Sequence, residues 1–346
     1  FVVPLVGGHV GGANEFARRI AEGLGATAVL TTATDALGLP GLDTLGWATS
    51  GDLAGVTRAI LDGRPVALVR EHPWPLPPLP HNDTDPVARV LVSDRTGVPE
   101  DLPTVVLHPR SVVVGMGCNR GTDVAALRGL LVDTLAQHGL ARASISALTS
   151  VDAKADEPGL VELAAELGVP FVCYPAEELA GITVPNPSQA PADAVGTPSV
   201  AEASVLAHGA SRVVPKAKTR DATVAIGRLA PRGRLAIVGL GPGADDLLTP
   251  RARRVLGESS VVIGYRPYGA QIKGLLRPGT ETVATGIGTE DMRTSLGISK
   301  AREGRNVAIV CSGDPAIYAM ASPTLEQGTE GIDVQVVPGV TAELAA

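Results

Sequence analysis

The sequence predicts an α/β protein built from several alternating strand–helix domains with mostly parallel sheets. Three observations carry this. Short apolar runs rich in Val, Ile, Leu and Ala recur along all 346 residues, each bounded by Gly, Pro or polar turns. Stretches of helical length separate them. Apolar residues make up 45% of the chain and aromatic residues only 3%, so aliphatic side chains must carry the packing. That is the composition of parallel strands covered by helices on both faces.

In chain order, a first block runs from Phe1 to about Arg70. It contains a helix at 14–25 that Asn14 can cap, a strand at 28–32 and a helix near 52–62. The segment "EHPWPLPPLPHNDTDP" (71–86) follows, and its prolines neither continue a helix nor donate to a sheet, so it reads as a seam. "VARVLVSDR" (87–95) is a strand. A second block starts at Ser111 with strand "SVVVGMG", a helix over 122–138, strand "ASISAL" (143–148) and a helix over 159–167. Strand "PFVCY" (170–174), a helix over 199–207 and strand "ATVAIGRL" (222–229) complete it. After the seam "APRGR" (230–234), a third block carries strands at 235–239, 260–264, 306–311 and 333–337 with helices between them.

Charge narrows the function. The net charge of -7 argues against a broad nucleic-acid surface, so an anionic ligand must be met by local arginines and helix N-termini. Three scattered cysteines, Cys118, Cys173 and Cys311, form no C-x-x-C pair and predict neither a disulfide framework nor a metal site. No apolar run approaches ~18 residues and no charged-then-apolar leader precedes the first block, which reads as a cytoplasmic chain without membrane or nucleic-acid partners. Both ends read as cut: "FVVPLVGG" begins as though inside a strand, and "VVPGVTAELAA" stops within two helical turns.

In the third block, four motifs sit at strand ends, where open α/β sheets place ligands. They are "GLGPGADDLLT" (239–249), "VVIGYRPY" (261–268), "CSGDPAIYAMA" (311–321) and "VVPGVTA" (336–342). The Gly-x-Gly-Pro-Gly spacing is not that of a dinucleotide turn. Gly239, Gly241 and Gly243 let a ligand approach the backbone, Pro242 stiffens the loop, and Thr249 before Pro250 suits a helix cap. In this order the motifs resemble the amino-terminal subdomain of the tetrapyrrole (corrin/porphyrin) methylases, and "GYRPY" with "SGDPAIYAMA" is most similar to precorrin-3B C17-methyltransferases. The resemblance covers 234–346, and the half that completes the cofactor cleft in that family is absent from it. It implies S-adenosylmethionine as cofactor, a tetrapyrrole (precorrin) substrate, and C17 methylation coupled to ring contraction. It carries Pro242, Ser312, Gly313, Asp314, Ile317, Thr341 and Ala342 over as cofactor positions, and Gly241, Gly243, Tyr265 and Arg266 as substrate positions. Asp314 reads as a base or as a turn cap that contacts the cofactor.

In the first two blocks, "GGHVGGANE" (7–15), "TTATD" (31–35), "GCNRGT" (117–122), "DAKADEPG" (152–159) and "GTPSVAEA" (196–203) together resemble the cobalt-precorrin-5A hydrolase family over 1–228. Its members open a ring lactone and release a two-carbon unit. Lactone opening needs a base that activates water and a group that stabilises the oxyanion. His9, Asp35, Asp156 or Glu157 can be the base; Lys154, Arg120 or helix-start amides can stabilise the charge. Asn119 and Arg120 are placed toward substrate, since an arginine grips a carboxylate through two parallel hydrogen bonds. The chain is thus expected to fuse a hydrolase-like region (1–108 and 109–228), a linker (229–233) and a methylase subdomain (234–346). Methylation at another ring carbon, a non-catalytic carrier role for the first region, and a homodimer are the open alternatives.

Overall fold

In the computed structural model the described residues are 13–26, 39–187, 197, 199–341 and 343, without a side-chain account for 13–15, 18 and 212. The strand expected at 28–32 lies outside them. The chain forms two compact units: one from Phe1–Val92, Glu100–Val105 and Pro231–Ala346, the other from Ser93–Pro99 and Val106–Ala230.

The second unit is a five-stranded sheet in the order β7-β6-β5-β9-β8. It comprises β5 (Val112–Cys118), β6 (Ile145–Val151), β7 (Phe171–Tyr174), β8 (Ala210–Lys218) and β9 (Ala222–Leu229). Strands β5, β6 and β7 run parallel, as the alternating strand–helix pattern predicts. Strands β8 and β9 form an antiparallel hairpin joined to β5, which corrects the purely alternating reading of this block. "ASRVVPKAK" was not foreseen as a strand, because its basic residues and proline are the composition of an edge. Helices Val124–Gln137 and Pro158–Leu167 cover one face through Leu127, Leu131, Leu160 and Leu163. Helix Val200–Ala207 covers the other through Ala201 and Val205. It packs so closely that a methyl group on Gly115 would sit 2.0 Å from the Ala201 carbonyl oxygen.

In the first unit, a five-stranded sheet in the order β12-β11-β13-β10-β14 is parallel throughout. Its strands are β10 (Arg234–Gly239), β11 (Val261–Tyr265), β12 (Glu281–Thr285), β13 (Asn306–Cys311) and β14 (Asp333–Val337). Ala236 and Val238 face the helix Pro250–Glu258, while Leu235 and Ile237 face the helix Glu290–Arg302. Helix Pro250–Glu258 follows β10 on one face, and helix Ala321–Glu326 follows β13 beside Glu290–Arg302 on the other. The chain thus leaves these adjacent strands toward opposite faces, where open α/β sheets form a crevice. A second sheet has the order β1-β4-β3-β2, from β1 (Ala48–Gly51), β2 (Val66–Arg70), β3 (Ala88–Val92) and β4 (Thr104–His108). The 71–86 seam is not a solvated linker: Leu76 and Leu79 are buried, and a methyl on Gly304 would lie 2.0 Å from the Pro73 carbonyl oxygen.

Gly115→Ala is expected to destabilise the second unit by at least about 2 kcal/mol, because the new methyl meets helix backbone rather than a movable side chain. Gly129 in the helix Val124–Gln137 is exposed with open space around it, so Gly129→Ala should stabilise by about 0.5–1 kcal/mol. Urea denaturation followed by far-UV circular dichroism measures both.

Candidate functional site

The crevice of the parallel sheet has a floor made of backbone. Gly241 and Gly313 exchange two hydrogen bonds, with N–H to carbonyl distances of 3.2 and 2.8 Å. A methyl on Gly239 would lie 2.5 Å from the Gly313 carbonyl oxygen, and one on Gly339 would lie 2.0 Å from it. Three strand ends can therefore meet only where no Cβ exists. Gly241 and Gly313 also hold φ of 69° and 64°, the left-handed region that glycine tolerates.

Asp314 locks this junction. Its Oδ1 accepts the Ala316 amide at 2.8 Å and its Oδ2 accepts the Gly339 amide at 3.1 Å, tying the turn after β13 to the turn after β14. Both oxygens accept backbone amides, so Asp314 caps this turn. Thr249 caps its helix as expected, accepting from the Ala252 amide at 3.2 Å, and its hydroxyl donates to the Pro338 carbonyl at 3.3 Å. Above the floor, Pro242, Gly243, Ser312 and Ile317 are exposed, Ile317 at 54%, and Thr341 is half-buried, its Cα 3.9 Å from where a methyl on Gly313 would stand. Ala342 lies outside the described residues. Cys311 beneath is buried, which pushes its thiol up to about 11 and leaves it inert at neutral pH.

Tyr265 and Arg266 sit at the carboxyl end of β11, away from the glycine floor. They line a cavity of about 250 Å³ whose walls include Val262, Ile272, Leu276 and Val310. The Tyr265 ring meets Tyr268 edge to face at 5.6 Å, and the Arg266 amide donates to the Thr285 carbonyl at 3.0 Å. Two supporting residues had escaped the motif reading. Gln271 donates to the Leu240 carbonyl at 3.3 Å. Buried Arg293 donates to Glu290 at 2.7 Å and to the Gly286 carbonyl at 3.3 Å. Neither had a sequence signal beyond a polar residue on a helix.

In the second unit the predicted residues gather at the carboxyl ends of β5 and β6. Glu157, 1% exposed, accepts the Gly121 amide at 2.7 Å and the Lys154 ammonium at 3.0 Å. Burial acts to raise its pKa, but the Lys154 hydrogen bond, the Gly121 amide and the nearby Lys154 and Arg120 charges outweigh it, so the carboxylate lies below its ordinary range. The Lys154–Glu157 pair thus holds the turn after β5 against the turn after β6. Arg120 donates to the Ala153 carbonyl at 3.3 Å and stands 3.8 Å from Asp156, with 70% of its side chain exposed. Asn119 donates to Asp221 at 3.2 Å, a partner from the β8–β9 hairpin that the sequence did not signal. His9 and Asp35 lie outside the described residues. Burial raises the Cys118 thiol above its ordinary range. Among the described residues no group of three or more His, Cys, Asp and Glu can hold a metal ion.

The segments that hold these two strand ends match models of known families. Residues 112–227 match the family described as Cobalamin synthesis G C-terminus, 1–35 match Cobalamin synthesis G N-terminal, and 234–346 match Tetrapyrrole (Corrin/Porphyrin) Methylases. The chain therefore carries, in succession, segments that match cobalamin synthesis G and a segment that matches the tetrapyrrole methylases. It is 29% identical over 253 residues to a cobalt-precorrin-5A hydrolase of Priestia megaterium, covering 65% of this chain and 67% of that protein. It is 47% identical over 110 residues to a probable cobalt-factor III C(17)-methyltransferase of Methanothermobacter thermautotrophicus, covering 31% of each. A solved uroporphyrin-III C-methyl transferase from Thermus thermophilus complexed with S-adenyl homocysteine is 36% identical, with a TM-score of 0.29, over 33% of this chain and 51% of that one. The chain spans about two thirds of the hydrolase relative and under a third of the methyltransferase relative.

Because the folded-state pKa of Glu157 is depressed, its stabilising contribution is present above the ordinary carboxylate range and lost as pH falls through the folded value. Lys154→Met strands the buried carboxylate and is expected to cost about 2–4 kcal/mol at neutral pH, with the deficit shrinking in acid as Glu157 protonates. Urea midpoints across the acid limb, compared with wild type, read this directly.

Proposed function

We propose that this chain acts in cobalamin biosynthesis on a precorrin macrocycle, with a methyl-transfer region at 234–346 and a hydrolase-like region at 1–228. The observation that carries the reading is the Gly239–Gly241–Gly313–Gly339 junction. It lies at the carboxyl ends of parallel strands, inside the segment that matches the tetrapyrrole methylases. The division at 108/109 and the linker at 229–233 are part of this proposal, as is a cytoplasmic location. Among the described residues no helix is long and apolar enough to cross a membrane.

The residues around the junction fit S-adenosylmethionine. Ile317 offers an exposed apolar surface for an adenine ring, and Ser312 and Thr341 offer hydroxyls beside backbone that carries no side chain. Bound there, the cofactor supplies an electrophilic methyl group on a sulfonium. The chain's own part is alignment: the glycine floor permits close approach, and Asp314 holds the two turns that shape it. No protein base is required when a nucleophilic pyrrole carbon is brought in line with the methyl. Arg266 and Tyr265, bordering the apolar cavity, would hold a carboxylate and an edge of the macrocycle. C17 as the methylated carbon is supported by the 47% identity to the C(17)-methyltransferase relative, and the coupled ring contraction is part of the proposal.

For the hydrolase-like region the geometry favours a second reading as well. Glu157 and Lys154 are bound to each other, so neither is free to activate water in this arrangement, and Asp156 is exposed beside Arg120. Binding of the macrocycle without turnover is thus the competing role. Lactone hydrolysis by the chain, assayed with and without Asp156→Asn, separates the two.

Asp314→Ala removes the acceptor for two loop amides. Cofactor affinity, measured by calorimetric titration with S-adenosylhomocysteine, is expected to fall about tenfold, or ~1.4 kcal/mol, while circular dichroism stays native. Unchanged affinity would remove the role. Arg120→Ala is expected to weaken binding of a precorrin analogue only a few-fold, because an arginine this exposed gains under ~1 kcal/mol from a carboxylate. Absorbance titration reads the change, and a silent substitution returns Arg120 to the surface.

A further inference from the structure

At the amino-terminal end of the methylase sheet, opposite the glycine floor, lies a second cavity of about 230 Å³. One wall is Leu68 with Leu76 and Leu79 of the proline-rich segment; the other is the chain leading into β11, β12 and β13. The two walls are tightly fitted. A methyl on Gly304 would lie 2.0 Å from the Pro73 carbonyl oxygen, and one on Gly279 would touch Pro78 at 3.6 Å.

Two guanidinium groups border this space: Arg70, which ends β2, and Arg305, which precedes β13. Arg70 has no carboxylate partner among the described residues. Arg70 is exposed, and partial desolvation and then the charge of Arg305 lower its pKa. Arg305 is only part-neutralised. Its Nη2 stands 3.4 Å from Glu281, and the same carboxylate faces Lys300 at 3.6 Å. Ser260 orients Arg305, its Oγ accepting from Nε at 3.4 Å. Arg305 and Lys300 thus share the Glu281 carboxylate, and Arg70 lines the same cavity as Arg305. An anion between the two guanidinium groups would relieve their mutual repulsion.

We propose that this cavity binds a small oxyanion, a phosphate or carboxylate group held between Arg70 and Arg305. Paired guanidiniums suit that chemistry because each presents parallel donors to two oxygens. The volume suits a small anion and not a macrocycle. Since the walls come from residues 68–81 and 260–305, an occupant would also fasten the proline-rich segment to the methylase sheet. The site is independent of the methyl-transfer reading.

The test is thermal unfolding of the full chain at fixed ionic strength, with inorganic phosphate or succinate replacing chloride. An anion that binds only the folded state raises the midpoint with concentration. Phosphate, succinate or both should raise it above chloride; phosphate alone assigns a tetrahedral ligand and succinate alone a carboxylate. Arg70→Gln should weaken the apparent affinity at least tenfold. In chloride it should unfold no earlier than wild type, because exposed Arg70 has no ion pair among the described residues to lose. If neither anion exceeds chloride, if Arg70→Gln keeps the full shift, or if that variant unfolds earlier in chloride, the proposal fails.

Discussion

The methylase region depends on one steric constraint: the ends of β10, β13 and β14 converge on the Gly313 carbonyl, within 2.5 Å of where Cβ atoms of Gly239 and Gly339 would stand. Any side chain there would push the strand ends apart. Because the three strands are hydrogen-bonded neighbours in register, their ends cannot separate without disturbing the ladders behind them. The crevice, its flat floor and the two turns capped by Asp314 follow from that contact.

The second unit solves a similar problem with charge. There the turns after β5 and β6 are joined by a buried carboxylate that takes an amide from one and an ammonium from the other. A buried pair of this kind is sensitive to the loss of either member, because the survivor keeps its desolvation cost without its partner. It therefore behaves as a clasp. Its members come from the same "DAKADEPG" run that suggested catalysis, and their mutual saturation is why that run now supports positioning more strongly than proton transfer.

With a net charge of -7, the proposed recognition of an anionic macrocycle falls to single arginines at strand ends, of which Arg266 borders an apolar cavity and Arg120 lies open to water. Their different surroundings set different expectations. A contact made beside apolar walls is less screened than one made in solvent.

The sequence by itself determined the α/β class, the largely parallel alternation of strands and helices, the placement of glycine-rich turns at strand ends and the family resemblance of each region. These are local properties: apolar runs at strand length, prolines and glycines that end elements, and motifs carried by consecutive residues. Tertiary structure alone decided which turns meet. Gly339 had to be brought against Gly313, and Asp221 against Asn119, across 26 and 102 residues of chain. It also turned the proline-rich segment from an expected seam into a packed wall, because Leu76 and Leu79 find a surface that no local pattern announces. The antiparallel β8–β9 pair and the commitment of Glu157 to Lys154 belong to the same class. Whether a carboxylate is a base or a clasp depends on what lies within 3 Å of it, and that is a property of the folded chain.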